Sequence, residues 1–159
     1  MQSFSVRPTE ETEYVLESYF NMLFKLCFTI LCSNADAEDA VSETMLKYIT
    51  KAPEFKSEEH RKAWLIRVAT NVCNSMYRFR KRNNYVNIDD LDAAAADNDD
   101  FEIMESVMRL PLKYKTILHL HYIEGYKIKE LAEILKISES AAKKRLQYAR
   151  KQLRFELED

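Results

Sequence analysis

One glycine, Gly125, and three prolines in 159 residues leave this chain few places to turn tightly. β-rich folds spend glycine and proline at many turns, so their scarcity selects helices joined by short connections. The predicted fold class is therefore all-α, and the apolar spacing bears this out along the chain. Over residues 10–31, Val15, Leu16, Tyr19, Phe20, Leu23, Leu26, Cys27, Ile30 and Leu31 recur at helical spacing, and Phe24 and Phe28 widen the face. Such a helix is mostly buried between neighbours. Residues 1–9 are polar, carry Pro8 and are expected to fray.

Ser33 and Asn34 supply capping side chains for a second helix over residues 35–51, and Asp36, Glu38 and Asp39 favour the positive end of its macrodipole. Ala37, Ala40, Val41, Thr44, Met45, Tyr48 and Ile49 form its inward stripe. Asp39, Ser42, Glu43 and Lys47 are left on the other face, which plain solvation would also explain. Pro53 closes this helix, and the loop that follows carries one exposed-looking aromatic, Phe55.

Net charge is only −2, but the charges are segregated. From Arg61 to Arg82 the charged residues are Arg61, Lys62, Arg67, Arg78, Arg80, Lys81 and Arg82, with no acid; from Asp89 to Glu105 they are all acidic. The basic block lies on a third helix that Ser57 can cap, with Trp64, Leu65, Val68, Ala69, Val72, Cys73 and Met76 inward, Trp64 as a core anchor. Tyr77 and Phe79 stand among its cations. Cations track a phosphate backbone and aromatic faces stack on unpaired bases, so this helix and the Phe55 loop suit melted nucleic acid. The acidic block lies in a linker over residues 83–100, where Val86, Ile88 and Leu91 dock at most transiently.

Beyond the linker, a helix over residues 101–110 turns Phe101, Met104, Val107 and Met108 inward. Pro111 opens the next one, which is expected to run to Glu124 with Tyr114, Ile117, Leu118 and Tyr122 on one side, ending at Gly125 as a C-cap. Ile128, Leu131, Ala132 and Leu135 then mark a short helix, Ile137 a corner and Ser138 the N-cap of a last helix. Ala142, Leu146 and Ala149 face inward in that helix, leaving Lys143, Lys144, Arg145 and Arg150 outward. This is the arrangement of a helix-turn-helix that lays its second helix in a major groove, although a solvated helical hairpin shares the pattern. Lys136 occupies a turn position that favours glycine, at a cost of about 1 kcal/mol.

Several function classes drop out. Cys27, Cys32 and Cys73 have no CxxC spacing, and Cys27 and Cys73 sit among apolar residues as buried reduced thiols. His119 and His121, two apart on a helix, point in different directions. There is no secretory leader pattern and no apolar run near the ~20 residues that span a bilayer, so a cytoplasmic protein without membrane insertion is expected. With no metal cluster, Gly-rich phosphate loop or activated nucleophile, an enzyme is disfavoured.

Together these motifs resemble the extracytoplasmic-function sigma factors, the promoter-recognition subunits of bacterial RNA polymerase. Asp36-Ala-Glu-Asp-Ala-Val-Ser-Glu-Thr44 looks like their polymerase-docking helix, and Trp64-Leu-Ile-Arg-Val-Ala-Thr-Asn71 with Arg78 to Arg82 like their melting helix. Leu110-Pro111, Glu124-Gly125, Glu130-Leu-Ala132, Ile137-Ser138, Ala142-Lys-Lys-Arg-Leu146 and Ala149-Arg150 look like their C-terminal helix-turn-helix. Ser42, Lys136 and Ala142 depart from residues usual in that family, at the polymerase contact and at the packing of the turn.

The resemblance implies two small helical domains, residues 10–82 and 101–157, joined by the acidic linker. It implies docking on core RNA polymerase through Asp36, Asp39, Ser42 and Glu43, and strand opening by Phe55, Arg61, Lys62, Arg67, Asn71, Arg78 and Arg80. Promoter duplex would be read by Ser138, Ser140, Lys143, Lys144 and Arg145. It implies no catalytic residue, metal or cofactor, and adds an anti-sigma factor as a candidate partner. The residues alone leave open a free-standing helix-turn-helix regulator that binds duplex DNA unaided.

Overall fold

The computed structural model describes residues 9–82 and 98–158. Every regular element among them is helical: α1 (Thr9–Leu31), α2 (Asn34–Lys51), α3 (Glu58–Arg82), α4 (Asn98–Met108), α5 (Leu112–Leu118), a π-helical turn (His119–Ile123), α6 (Ile128–Leu135) and α7 (Glu139–Glu158). The expectations for residues 1–8, and for Val86, Ile88 and Leu91, lie outside the described residues. Helix α4 starts inside the span read as linker.

Helices α1, α2 and α3 pack on one another, and α7 closes a second group over α4, α5 and α6. The two groups are not separate beads. Helices α4, α5 and the π turn lie against α1, and α6 lies against α3. One continuous apolar cluster runs from Leu23, Leu26 and Ile30 of α1 to Ile117, Leu118 and Leu120, and on to Leu131 and Leu146. Helix α1 is long and apolar enough to pass as a membrane span by length and composition, contrary to the sequence reading. Its apolar residues are instead the hub of the core, with Val15, Leu23, Leu26 and Cys27 fully buried.

Local chemistry explains the ends of these helices. Ser33 caps α2, its Oγ accepting from the Asp36 N–H at 3.3 Å. Ser57 and Ser138 do the same for α3 and α7, accepting from His60 N at 3.1 Å and Ala141 N at 3.0 Å. Gly125 has φ +77. Lys136 ends α6 in the left-handed region at φ 54, as its place in the turn implied, and Cys32 ends α1 at φ 56.

The second group departs from expectation at the π turn. The Glu124 N–H donates to the His119 carbonyl at 3.2 Å and the Tyr126 N–H to that of Leu120 at 3.1 Å. A π turn inserts extra residues and rotates everything after it. His119 and Leu120 are carried into the core, while Tyr122, expected on one side with Ile117 and Leu118, which are buried, stands 59% exposed and accepts from Arg150 Nε at 2.5 Å.

Candidate polymerase and nucleic-acid interface

Helix α2 presents Asp39, Ser42 and Glu43 to solvent because they lie opposite its buried stripe of Ala37, Ala40, Val41, Thr44 and Tyr48. Asp36 does not join them. Four residues before Ala40, it falls on the inward stripe, is 5% exposed and is ion-paired with Arg80 of α3. The pair therefore removes one residue from the expected docking face and one from the expected melting surface.

Helix α3 divides into two stretches. In the first, Arg61 pairs with Glu58, lies 3.5 Å from Glu11 and sits over the Phe55 ring. Phe55 is no free loop aromatic. Its ring stacks on Tyr48 at 6.1 Å and meets Trp64 edge-on at 5.8 Å and His60 at 5.2 Å, so it walls an aromatic cluster. Lys62 pairs with Glu124 of the second helical group at 3.3 Å and lies over the Tyr126 ring. Burial, then the nearby carboxylates of Glu124 and Glu130, push the Tyr126 phenol up to about 12. The second stretch is open: Tyr77, Arg78, Phe79, Lys81 and Arg82 are exposed around the end of α3. The sequence placed Tyr77 and Phe79 among the cations, but the expected melting set omitted both; their position outside the Trp64-Val68-Val72 stripe was the available signal.

On α7, Ser140, Lys143 and Lys144 are exposed, and Ser138 is exposed but spends its hydroxyl oxygen on the cap. Arg145, expected outward, is half-buried. It lines a cavity of about 190 Å³ together with Arg67 and Asn71 of α3. Residues expected to hold melted strand and a residue expected to read duplex thus face each other across one gap.

The contacts that hold this arrangement are polar as well as apolar. His119 Nδ1 lies 3.0 Å from Thr29 Oγ1, whose own proton goes to the Lys25 carbonyl at 2.9 Å, so the ring N–H donates to Thr29. Burial, reinforced by the Lys25 ammonium, lowers the His119 pKa to about 4. Lys115, 4% exposed, donates to Cys32 Sγ at 3.7 Å, and burial lowers its pKa. Cys27 and Cys73 are buried free thiols, as read from their apolar surroundings; hydrogen bonding to Cys27, then burial, raises the Cys73 pKa. No cluster of three or more metal-ligating side chains occurs among the described residues.

Two family models match the chain, Sigma-70 region 2 over residues 15–83 and Sigma-70, region 4 over residues 100–153. The chain is 31% identical over 129 residues to the RNA polymerase sigma factor SigZ of Bacillus subtilis, covering 76% of this chain and 72% of that one. It belongs to the extracytoplasmic-function sigma factors. The ECF RNA polymerase sigma factor SigW of the same organism is 25% identical over 169 residues, covering 91% of this sigma factor and 88% of the relative. In structure, this sigma factor resembles RpoE of Bartonella quintana in its co-crystal with the anti-sigma factor NepR, with a TM-score of 0.79 and 22% identity over 94% of this chain and 98% of that one. The last likeness establishes the shared fold. The region 2 match spans α1 to α3 and the region 4 match spans α4 to most of α7, so each half of this sigma factor carries its own part of the family pattern.

Proposed function

We propose that this sigma factor docks on core RNA polymerase through the exposed α2 face, Asp39, Ser42 and Glu43, and brings the enzyme to its promoters. Exposed acids four apart on one helix face suit a basic partner surface. The observation that carries the reading is the cavity shared by Arg67, Asn71 and Arg145. If α3 holds melted strand and α7 reads duplex, Arg67 and Arg145 are withheld from DNA until the two helical groups part. The α2 face stays open throughout, so polymerase can bind first.

After opening, Arg67 and Asn71 join Arg78, Tyr77 and Phe79 in a continuous surface for the unpaired strand. Ser140, Lys143, Lys144 and Arg145 would enter the duplex groove. Lys62 is released from Glu124 and becomes available to phosphate, whereas Arg61 and Arg80 stay structural. Phe55 acts as a wall of the aromatic cluster. The protein performs no covalent step; capture of unpaired bases and the polymerase drive melting. It works in the cytoplasm, alongside the polymerase. RpoE of Bartonella quintana is held by the anti-sigma factor NepR, and the structural neighbour CnrH is in complex with the cytosolic domain of CnrY. An anti-sigma partner would act here by keeping α3 and α7 together.

The test is reconstitution with core polymerase on a promoter selected from genomic fragments, with permanganate probing of unpaired thymines. Wild type should form open complexes. Asn71→Ala with Arg67→Ala should keep polymerase binding and lose thymine reactivity; full reactivity in that variant would remove α3 from the melting role.

A further inference from the structure

The cavity between α3 and the second helical group carries an uncompensated positive charge. Arg67 comes from α3, Lys113 from α5, Lys136 from the end of α6 and Arg145 from α7, and no carboxylate lines the space. None of the four makes an ion pair among the described residues; Lys113 only lies over the Tyr114 ring. The neighbouring cavity that Arg67 also borders holds Glu59, Glu124, Glu130 and Glu133, so acids are available nearby yet absent from this one. Like charges converging from two packed groups repel, and they stay together at lowest cost when an anion sits between them.

The remaining polar groups point the same way. Asn71 and Asn74 line the cavity, and the Asn74 side-chain oxygen is buried without a hydrogen-bond partner. Oxygen and nitrogen of an amide are assigned from the surrounding hydrogen bonds, and turning this amide over places N–H donors there. Thr70 and Thr116 donate to the carbonyls of Ile66 and Leu112, so the donors open to a ligand are the cations and the amides. A volume of about 190 Å³ takes several waters or one small polyanion.

We propose that this cavity binds a small phosphate-class polyanion, diphosphate or the phosphate tail of a nucleotide, and that the anion clamps the two helical groups together. Bound there, it bridges Arg67 and Arg145 and withholds both from DNA. An anion that binds only the packed arrangement stabilises it by mass action and lowers the fraction able to open. The binding stands on the cavity alone; its regulatory effect rests on the reading of Arg67 and Arg145 as DNA contacts.

The experiment titrates the full chain with inorganic diphosphate, and separately with a nucleoside triphosphate, by calorimetry at low salt. A parallel assay follows association of the polymerase holoenzyme with promoter DNA. Lys113→Gln with Lys136→Asn removes two cations that have no assigned DNA role, and asparagine tolerates the left-handed backbone at 136. Saturable one-to-one binding is expected, weakened at least tenfold in the double variant. Diphosphate should slow promoter association of wild type severalfold more than of the variant, at matched ionic strength. Equal affinities for the two titrants identify a free polyphosphate, and tighter triphosphate binding a nucleotide. Unsaturable heat, binding unchanged in the variant, or equal slowing of both proteins overturns the proposal. Failure of the holoenzyme to associate with promoter DNA without any diphosphate would instead count against the DNA-binding reading.

Discussion

The His119 imidazole reaches across from the π turn to Thr29 of α1, with Nδ1 3.0 Å from Oγ1, and its other ring nitrogen is buried without a partner. The ring is thus held neutral at the boundary between the two helical groups. Its pKa falls from 6.5 to about 4, so the folded chain binds fewer protons there than the unfolded chain. This contribution is complete above the ordinary imidazole pKa and is lost as pH falls towards 4, by up to about 3 kcal/mol. Urea midpoints measured from about pH 7 down to about pH 5 should fall in wild type. His119→Gln should start lower and change much less across that range.

Asp36 and Arg80 make the corresponding link within the first group. Removing the arginine leaves a nearly buried carboxylate uncompensated, so Arg80→Ala should cost about 1–3 kcal/mol, the upper part of the range for buried pairs being reduced by the partial exposure of Arg80. Asp36→Asn with Arg80→Ala should recover part of that loss in a double-mutant cycle of urea midpoints. Additive losses would mean that the two side chains act independently.

Docking on polymerase should depend on charge at two exposed positions. Asp39→Arg with Glu43→Arg leaves the buried stripe of α2 intact, so helicity and melting temperature should hold while affinity for core polymerase falls by at least tenfold. Unchanged affinity in a pull-down titration would rule this face out.

If α7 reads the promoter duplex, its contacts should separate into two kinds. Lys143 and Lys144 are exposed, and a residue that reads a base edge should cost about 1–3 kcal/mol on replacement by alanine and relax preference at one position. A phosphate contact should weaken binding to all sequences and flatten the salt dependence. Binding-site selection with Lys143→Ala and Lys144→Ala in holoenzyme distinguishes the two.

The element order was legible in the sequence because single-face periodicity and serine caps are local. Ser33, Ser57 and Ser138 each cap the helix that their position announced. The inward stripe of Ala142, Leu146 and Ala149 was equally plain. What the sequence hid was non-local or out of register. No spacing rule marks the π turn that expels Tyr122 or shows that Phe55 packs on Tyr48; the place of Asp36 four residues before Ala40 marked it as inward, but not that Arg80 is its partner. The meeting of Arg67 with Arg145 depends on how two groups far apart in the chain come together, which helical periodicity does not encode.

The most direct test of the account measures whether that meeting is undone in use. Glu59 and Glu133 are exposed residues on opposite walls of the larger cavity between α3 and α6, and paired spin labels there report the separation of the two groups. In the free protein the labels should lie close together, and in an open complex with core polymerase and promoter they should move apart by tens of ångströms. A short distance that persists in a transcribing complex would contradict the claim that Arg67 and Arg145 are withheld from DNA until the groups part.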